Sequence, residues 1–357
     1  MKPFAISFKP FIAMHTKTFL AAGVGLALAI VAAHAQNPDA SQQVDNAQHL
    51  RQLQSFNGLP ESTNAVPEFY EGETSDIGPQ SVLQVKRQRT YFQAFADEQF
   101  FYTDNVFLAN HGQQGASVLI STVQAALAPS PYELGGGLFS PRIGYQQEWF
   151  SYGLADSDTV LVYPSLQRVN INQFDFNAGT VFSDVAWSRQ NWTLTVGCDY
   201  RRLLSSEDYD EFYHEFVPRL AVRRDFQLCD SVSVSVGYEG DYRFTESAPP
   251  AAPNPTSPIY PNTYNDRTDQ SLVLFANWQL CPHAILQPFY RLQYSHYTQI
   301  DRDDWLNSFG LTLYCPITQQ ISLRTFVTYD IANTDGFYVQ DYQKFDGGAG
   351  LNLTVSF

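Results

Sequence analysis

The feature that most restricts the fold is an alternation of apolar and polar side chains that recurs from about residue 86 onward and nowhere gives way to a helical period. In DSVSVSVGYEGDYRF (230–244), Val232, Val234, Val236, Tyr238, Tyr242 and Phe244 share one parity, while Ser231, Ser233, Ser235, Glu239, Asp241 and Arg243 share the other. NWTLTVGCDY (191–200) and QISLRTFVTYDI (320–331) repeat the pattern. A period of two places each set on its own face of a strand. Twelve such segments lie near 87–102, 117–128, 138–152, 170–187, 190–204, 211–226, 230–245, 265–280, 283–298, 304–315, 320–333 and 340–357. Soluble strands usually have ~5–6 residues, whereas a tilted strand needs ~9–11 to cross a bilayer. Most of these segments reach the longer figure.

The connections alternate in length. Short ones fall at 188–190, 227–230, 280–283 and 315–319, and long ones at 153–169, 205–211, 247–264, 299–304 and 333–341. The stretch from Ala128 to Gly137 fits less well as a short turn. Antiparallel hairpins sort in this way when one end faces a cramped compartment and the other open solvent. Within lipid every backbone donor and acceptor must be paired, so strands cross only as a closed barrel. The expected fold is therefore all-β, a transmembrane antiparallel up-and-down β-barrel of about 12 strands. A soluble sandwich also alternates, but with shorter strands and turns not sorted by length. Aromatic residues make up 15% of the chain and charged residues 16%. Trp187, Trp192 and Trp278 stand near short turns, and Tyr200, Tyr242, Phe244, Tyr294, Tyr297, Trp305 and Tyr329 near the opposite strand ends. Two belts of amphipathic rings are what the two faces of a bilayer select.

Residues 1–35 read as a signal peptide. Lys2, Lys9 and Lys17 precede the apolar run at 19–33, and AHA at 33–35 supplies small residues for cleavage; a membrane anchor is the alternative. Their loss removes three lysines and no acids, taking the net charge from −15 to −18. Such acidity argues against a nucleic-acid partner. Residues 36–85 read as an acidic periplasmic segment, largely disordered: seven acids in 36–80 face Arg51 alone. A lumenal plug, or a short helix around 41–54, is the competing reading. The barrel then occupies 86–357.

The chain closes on GAGLNLTVSF (348–357), with Leu351, Leu353, Val355 and Phe357 on one parity and Asn352, Thr354 and Ser356 on the other. With the signal peptide, the tyrosine-rich strands and the sorted connections, this end resembles that of Gram-negative outer-membrane β-barrel proteins. QFFYTDNVFLA (99–109) is similar to the first hairpin of a group of β-barrel porins. The resemblance implies that Leu351, Leu353, Val355 and Phe357 form the assembly signal read by the barrel-insertion machinery, and that the partners are outer-membrane lipids and small solutes. The location implied is the cell outer membrane, with the N-terminal segment in the periplasm.

On the inferred inward parity stand Arg142, Glu148, Arg201, Glu215, Arg219, Arg223, Glu239, Asp241, Arg243, Arg291, Arg324 and Asp330, the candidate pore-lining residues. They are able to sieve solutes across an open lumen or to pair off and seal it. The first case is a porin-like channel for passive diffusion of small polar or cationic solutes. The second is a sealed barrel that binds a ligand through its outer loops. Twelve strands lie between filled barrels of ~8 and open porins of ~16–18. The six inferred outer loops, counting Asp104, Glu246, Asp266 and Asp269 at their edges, carry fifteen acids against Arg168, Arg267 and Arg302, which suits cations. Clusters such as DRDD (301–304) lack the spacing of a calcium loop, so no metal and no cofactor is expected. Catalysis is not expected either: His296, in YSHYTQ, has Ser295 and Thr298 nearby but no His-x-Ser pair, and His214 has no serine near in sequence. Cys198, Cys229, Cys281 and Cys315 are expected mainly as free thiols, because neighbouring short turns lie ~10 Å apart and a disulfide tolerates ~7 Å. Oligomeric state is not legible.

Overall fold

A computed structural model describes residues 37–55, 91–110, 113–153, 159–162, 167–247, 261–318, 320–336 and 341–356. Residues 1–36, which include the expected signal peptide, residues 56–90 and Phe357 lie outside the described residues.

The strands are β1 (Phe92–Thr103), β2 (Ala116–Leu127), β3 (Tyr132–Leu134), β4 (Gly137–Tyr152), β5 (Thr159–Val162), β6 (Gln167–Asn170), β7 (Phe176–Arg189), β8 (Trp192–Ser205), β9 (Glu211–Cys229), β10 (Val232–Ser247), β11 (Arg267–Cys281), β12 (Ala284–Tyr297), β13 (Asp303–Pro316), β14 (Ile321–Thr334) and β15 (Tyr342–Ser356). Twelve are long, and each pairs antiparallel with its neighbours in the order β2-β1-β15-β14-β13-β12-β11-β10-β9-β8-β7-β4. The pairing of β2 with β4, Val118 opposite Tyr152 through Leu127 opposite Ile143, closes the ring. No long strand is left as an open edge.

These twelve match the alternating segments closely, with two shifts, the first being that β1 begins at Phe92 rather than near 87. β7 begins at Phe176 rather than near 170, because Ile171–Phe174 form a single 3₁₀ turn, η1, whose entry Asn170 accepts from the amide of Asn172. β5 and β6 form a small hairpin in the same long connection. The awkward stretch after Ala128 holds β3, which folds back on the start of β4 through Gly135 and Gly136, both at positive φ.

Alternation sorts the wall. Val196, Tyr238, Leu272, Leu311 and Leu351 are exposed on the outside, while Arg201, Asp269, Thr312, Arg324 and Asn352 are buried inside. A polar interior behind an apolar exterior inverts the soluble arrangement and is that of a barrel in lipid. Tyr102, Tyr200, Phe216, Phe244 and Trp305 are exposed near the long-loop end, with Phe92, Trp192 and Trp278 at the other. Tyr297 departs from the expected outer belt: it is 4% exposed and points inward, between the guanidinium groups of Arg267 and Arg302, 5.6 and 4.2 Å from its ring centroid. Being odd-numbered, it shares the parity of inward Arg291 and Gln293 in β12.

The interior also holds what the chain's composition argued against. Asn37–Ser55, expected to be largely disordered, form an α-helix, α1, with Ala40, Ser41, Val44, Ala47 and Arg51 buried. Nineteen residues span about 28 Å, roughly the height of a bilayer core. The correction has a physical reason. Stretch 36–85 has Arg51 as its only cation to pair with its acids, but the barrel wall supplies arginines and an apolar collar that the stretch itself lacks.

Candidate functional site

The candidate site is the lumen with α1 inside it. The N-terminal part of the helix meets the long-loop end. There Gln42 donates to the Tyr342 hydroxyl, Tyr152 donates to Gln43, and the Gln43 amide reaches the Val106 carbonyl at 3.5 Å. Ala40, Val44 and Ala47, spaced i, i+4, i+7 on one stripe, pack against Val118, Ile120, Phe150, Tyr152, Phe176 and Tyr213 of the wall. Phe150 and Phe176 stack at 4.4 Å with planes 9° apart.

Deeper in, charge takes over. Asp45 pairs with Arg201 at 2.9 Å and with Arg243 at 2.7 Å. Arg201 also pairs with Glu215 at 2.6 Å, and Arg243 with Asp269 at 2.7 Å and Asp241 at 3.2 Å. Tyr213 donates to Glu215 at 2.8 Å. On the far side of the helix, Arg51 pairs with the buried Glu148 and donates to Thr122 at 3.1 Å. Gln48 joins the two sides, accepting from Arg201 at 2.8 Å and donating to Glu148 at 3.3 Å. One connected network thus runs from β11 and β10 through β9 and β8, across α1, to β4. Below it His49 meets the Phe289 ring edge-on at 5.9 Å, and Leu50 packs on Val273, Phe275 and Phe289.

Most of the remaining lumen charges pair along the wall. Asp184 holds Arg142 at 2.8 Å and Arg219 at 3.4 Å, and Arg219 reaches Asp199 at 3.4 Å. Arg223 pairs with Asp225, and Arg324 with Asp97 at 2.8 Å. Asp330 meets Lys344 at 3.6 Å, Arg291 donates to Gln293, and Glu239 stands in the field of Arg219. All twelve charged positions singled out from parity therefore stand on the inner face, and five of them, Glu148, Arg201, Glu215, Asp241 and Arg243, join the network around α1.

Sequence reasoning passed over Asp45, Gln48, Arg51, Asp97, Asp184, Asp199 and Lys344, and it counted Asp269, buried in the lumen, among the acids of the outer loops. The strand residues were findable: Asp269 shares the parity of Ser271 and Val273 in β11, and Asp97 that of Gln99 in β1. α1 left a faint trace, since its buried stripe is made mostly of alanine. Two cations assigned to outer loops, Arg267 and Arg302, are buried in the upper lumen.

The acids at the long-loop end have a local use. Asp104 accepts from the amide of Phe345 at 2.8 Å, Asp266 from Thr245 at 2.6 Å, Asp335 from Asp303 at 2.6 Å, and Asp341 from Thr334 at 2.8 Å. Each closes a strand end whose last donor has no ladder partner. Part of the acidity read as an electrostatic mouth is thus rim architecture. His296 and Ser295 lie on opposite faces of β12: Ser295 is buried inside, while half-exposed His296 pairs with Asp303 at 2.7 Å. His214 pairs with Glu211 and Glu246. Among the described residues no group of three or more His, Cys, Asp or Glu is placed to hold a metal, and all four cysteines are free.

A closed ring of twelve long antiparallel strands, apolar outside and polar inside, decides the architecture. This is the fold of an outer-membrane β-barrel. No protein-family model matches the chain, and no curated protein is similar to it in sequence. Among solved structures, the β domain of the Bordetella autotransporter BrkA is 14% identical, the match covering 76% of this chain and all of that one, with a TM-score of 0.42. An outer-membrane channel from Pseudomonas putida F1 is 11% identical over 78% of this chain and all of that one, with a TM-score of 0.45. An anion-selective porin from Comamonas acidovorans is 9% identical over 75% of this chain and all of that one, with a TM-score of 0.37. The assignment of the fold rests on the strand ladder itself.

Proposed function

We propose that the protein is a porin-like channel of the outer membrane, closed by α1 in the state described, that passes small polar solutes, cations among them, when the helix withdraws. The observation that carries this reading is that α1 is held below its apolar collar by side-chain ion pairs to a charged wall, Asp45 to Arg201 and Arg243, and Arg51 to Glu148. Buried ion pairs add little net stability, because water solvates each partner about as well once they separate. Ala40, Val44 and Ala47 oppose withdrawal with about 2–4 kcal/mol of buried apolar surface. A permanently sealed lumen would be expected to bury larger side chains.

A sealed barrel acting through its outer loops is favoured by one observation, the pairing of nearly all the lumen charges. Planar-bilayer recording separates the two. Full-length refolded protein is expected to show small or intermittent steps, and a chain lacking 37–55 larger and steadier ones with cation preference. Heat-modifiable migration of both proteins without conductance from either would establish the sealed barrel.

A further inference from the structure

The groups that hold α1 also describe what the wall behind it can bind. Asp45 brings a carboxylate to Arg201 and Arg243, and Arg51 brings a guanidinium to Glu148 and the Thr122 hydroxyl. Between Arg201 of β8 and Glu148 of β4 runs β7, whose inward residues at this level are small. Ala178 stands opposite Glu148, and Thr180 stands between Gln146 and Arg201. The recess they leave is occupied by one side chain of the helix: Gln48 accepts from Arg201 at 2.8 Å and donates to Glu148 at 3.3 Å. A single carboxamide thus spans from the anion-binding group to the cation-binding one.

Withdrawal of α1 leaves these groups unequally provided for. Arg201 keeps Glu215, and Arg243 keeps Asp241 and Asp269, whereas the fully buried Glu148 makes no ion pair among the described residues other than that with Arg51. The helix also leaves part of the recess unused, since the Thr180 hydroxyl and Nε of Arg201 are buried without a hydrogen-bond partner. A buried carboxylate without a cation is strongly unfavourable, and an unsatisfied hydroxyl or N–H adds to the cost. We propose that, once α1 has withdrawn, this recess of β4, β7 and β8 binds a small zwitterion of the amino-acid type, its carboxylate on Arg201 and Thr180 and its ammonium on Glu148. The carboxamide of Gln48 carries its oxygen and nitrogen on one carbon, and the two charged groups of an α-amino acid are likewise joined through one carbon. A simple cation meets only Glu148, and a simple carboxylate is repelled by it. Asp45, Gln48 and Arg51 then act as a tethered competitor, so a zwitterion that binds only the withdrawn state shifts the population toward open channels. The proposal rests on the channel reading and names the solute class that it left open.

The test records full-length protein in planar bilayers at constant pH and ionic strength. L-alanine should raise the open fraction several-fold, whereas acetate, methylammonium and glycerol, with one charge or none, should leave it unchanged. Glu148→Gln frees Arg51 and should raise opening in the absence of solute, yet the concentration of L-alanine giving half its effect should increase about tenfold, the loss of one charge-assisted hydrogen bond. Asp45→Asn weakens the competitor and leaves the wall intact, so it should lower that concentration, and it decides alone if Glu148→Gln loses heat-modifiable migration. Equal responses to L-alanine and to either single-charge solute, or a half-effect concentration unaltered by Asp45→Asn, would overturn the zwitterion site and leave the channel standing. Absence of conductance both from the full-length chain and from one lacking 37–55 would remove the channel itself, and the site with it.

Discussion

At the scale of single residues, the barrel is held at its rim by aspartates that take over where the ladder stops. Asp175, between η1 and β7, accepts from the amide of Tyr152 at 2.7 Å while its own carbonyl accepts from Ser206. Half-burial raises its carboxyl from 3.8 to about 6, against the opposing pull of that hydrogen bond. A raised carboxyl means that the folded rim favours the protonated form. Its contribution is therefore complete below the ordinary carboxylate range and is lost as pH rises through about 6. Carboxyl-carbon NMR should find a midpoint near that value. The protection factor of the Ser206 amide, its exchange rate corrected for base catalysis, should fall between pH 5 and 7, and Asp175→Asn should remove that fall. A midpoint below 4 would refute the account.

At the scale of elements, each strand was legible because one face must satisfy lipid and the other must not, a demand that writes itself into every second residue. β15 shows how much more a strand encodes. Gly348 and Gly350 weaken a strand by propensity, yet both face inward where neighbours need the room. A Cβ on Gly348 would stand 2.3 Å from that of Phe101 across the β1–β15 pair, and one on Gly350 2.9 Å from Nε of Arg324. Gly348→Ala should therefore force β1 and β15 apart and cost about 1–3 kcal/mol, read as a lower urea midpoint for loss of the heat-modifiable form. An unchanged midpoint would show that Phe101 yields freely. α1 was hard to read for the opposite reason: its buried stripe is small, its polar face has no partner within the segment, and its pairing exists only after the barrel has formed.

At the scale of the molecule, closure is the dominant constraint. β15 must pair with β1, Gln93 opposite Ser356 through Thr103 opposite Asp346, because an edge left open in lipid would strand its donors and acceptors. We propose that Phe357, with Leu351, Leu353 and Val355, also carries the assembly signal that the resemblance to outer-membrane barrels implies. Leu351 and Leu353 are exposed on the outer face, as that role requires. Deleting Phe357 should reduce the amount of folded protein in the outer membrane more than deleting any other single residue, scored by cell fractionation and heat-modifiable migration. Normal insertion of that variant would argue against the signal.

The sequence by itself determined the strand count, the parity of the wall and the sorting of turns, since these follow from a period of two read against a bilayer and need no partner to be specified. Only the tertiary structure decided what the lumen contains. Arg201, Arg243 and Glu148 are known from parity to point inward, but their ion pairs with Asp45 and Arg51 join residues about a hundred or more positions apart. Charge complementarity at that separation is a property of the closed ring, which brings β4, β8 and β10 around one helix, and no local pattern in the chain can hold it.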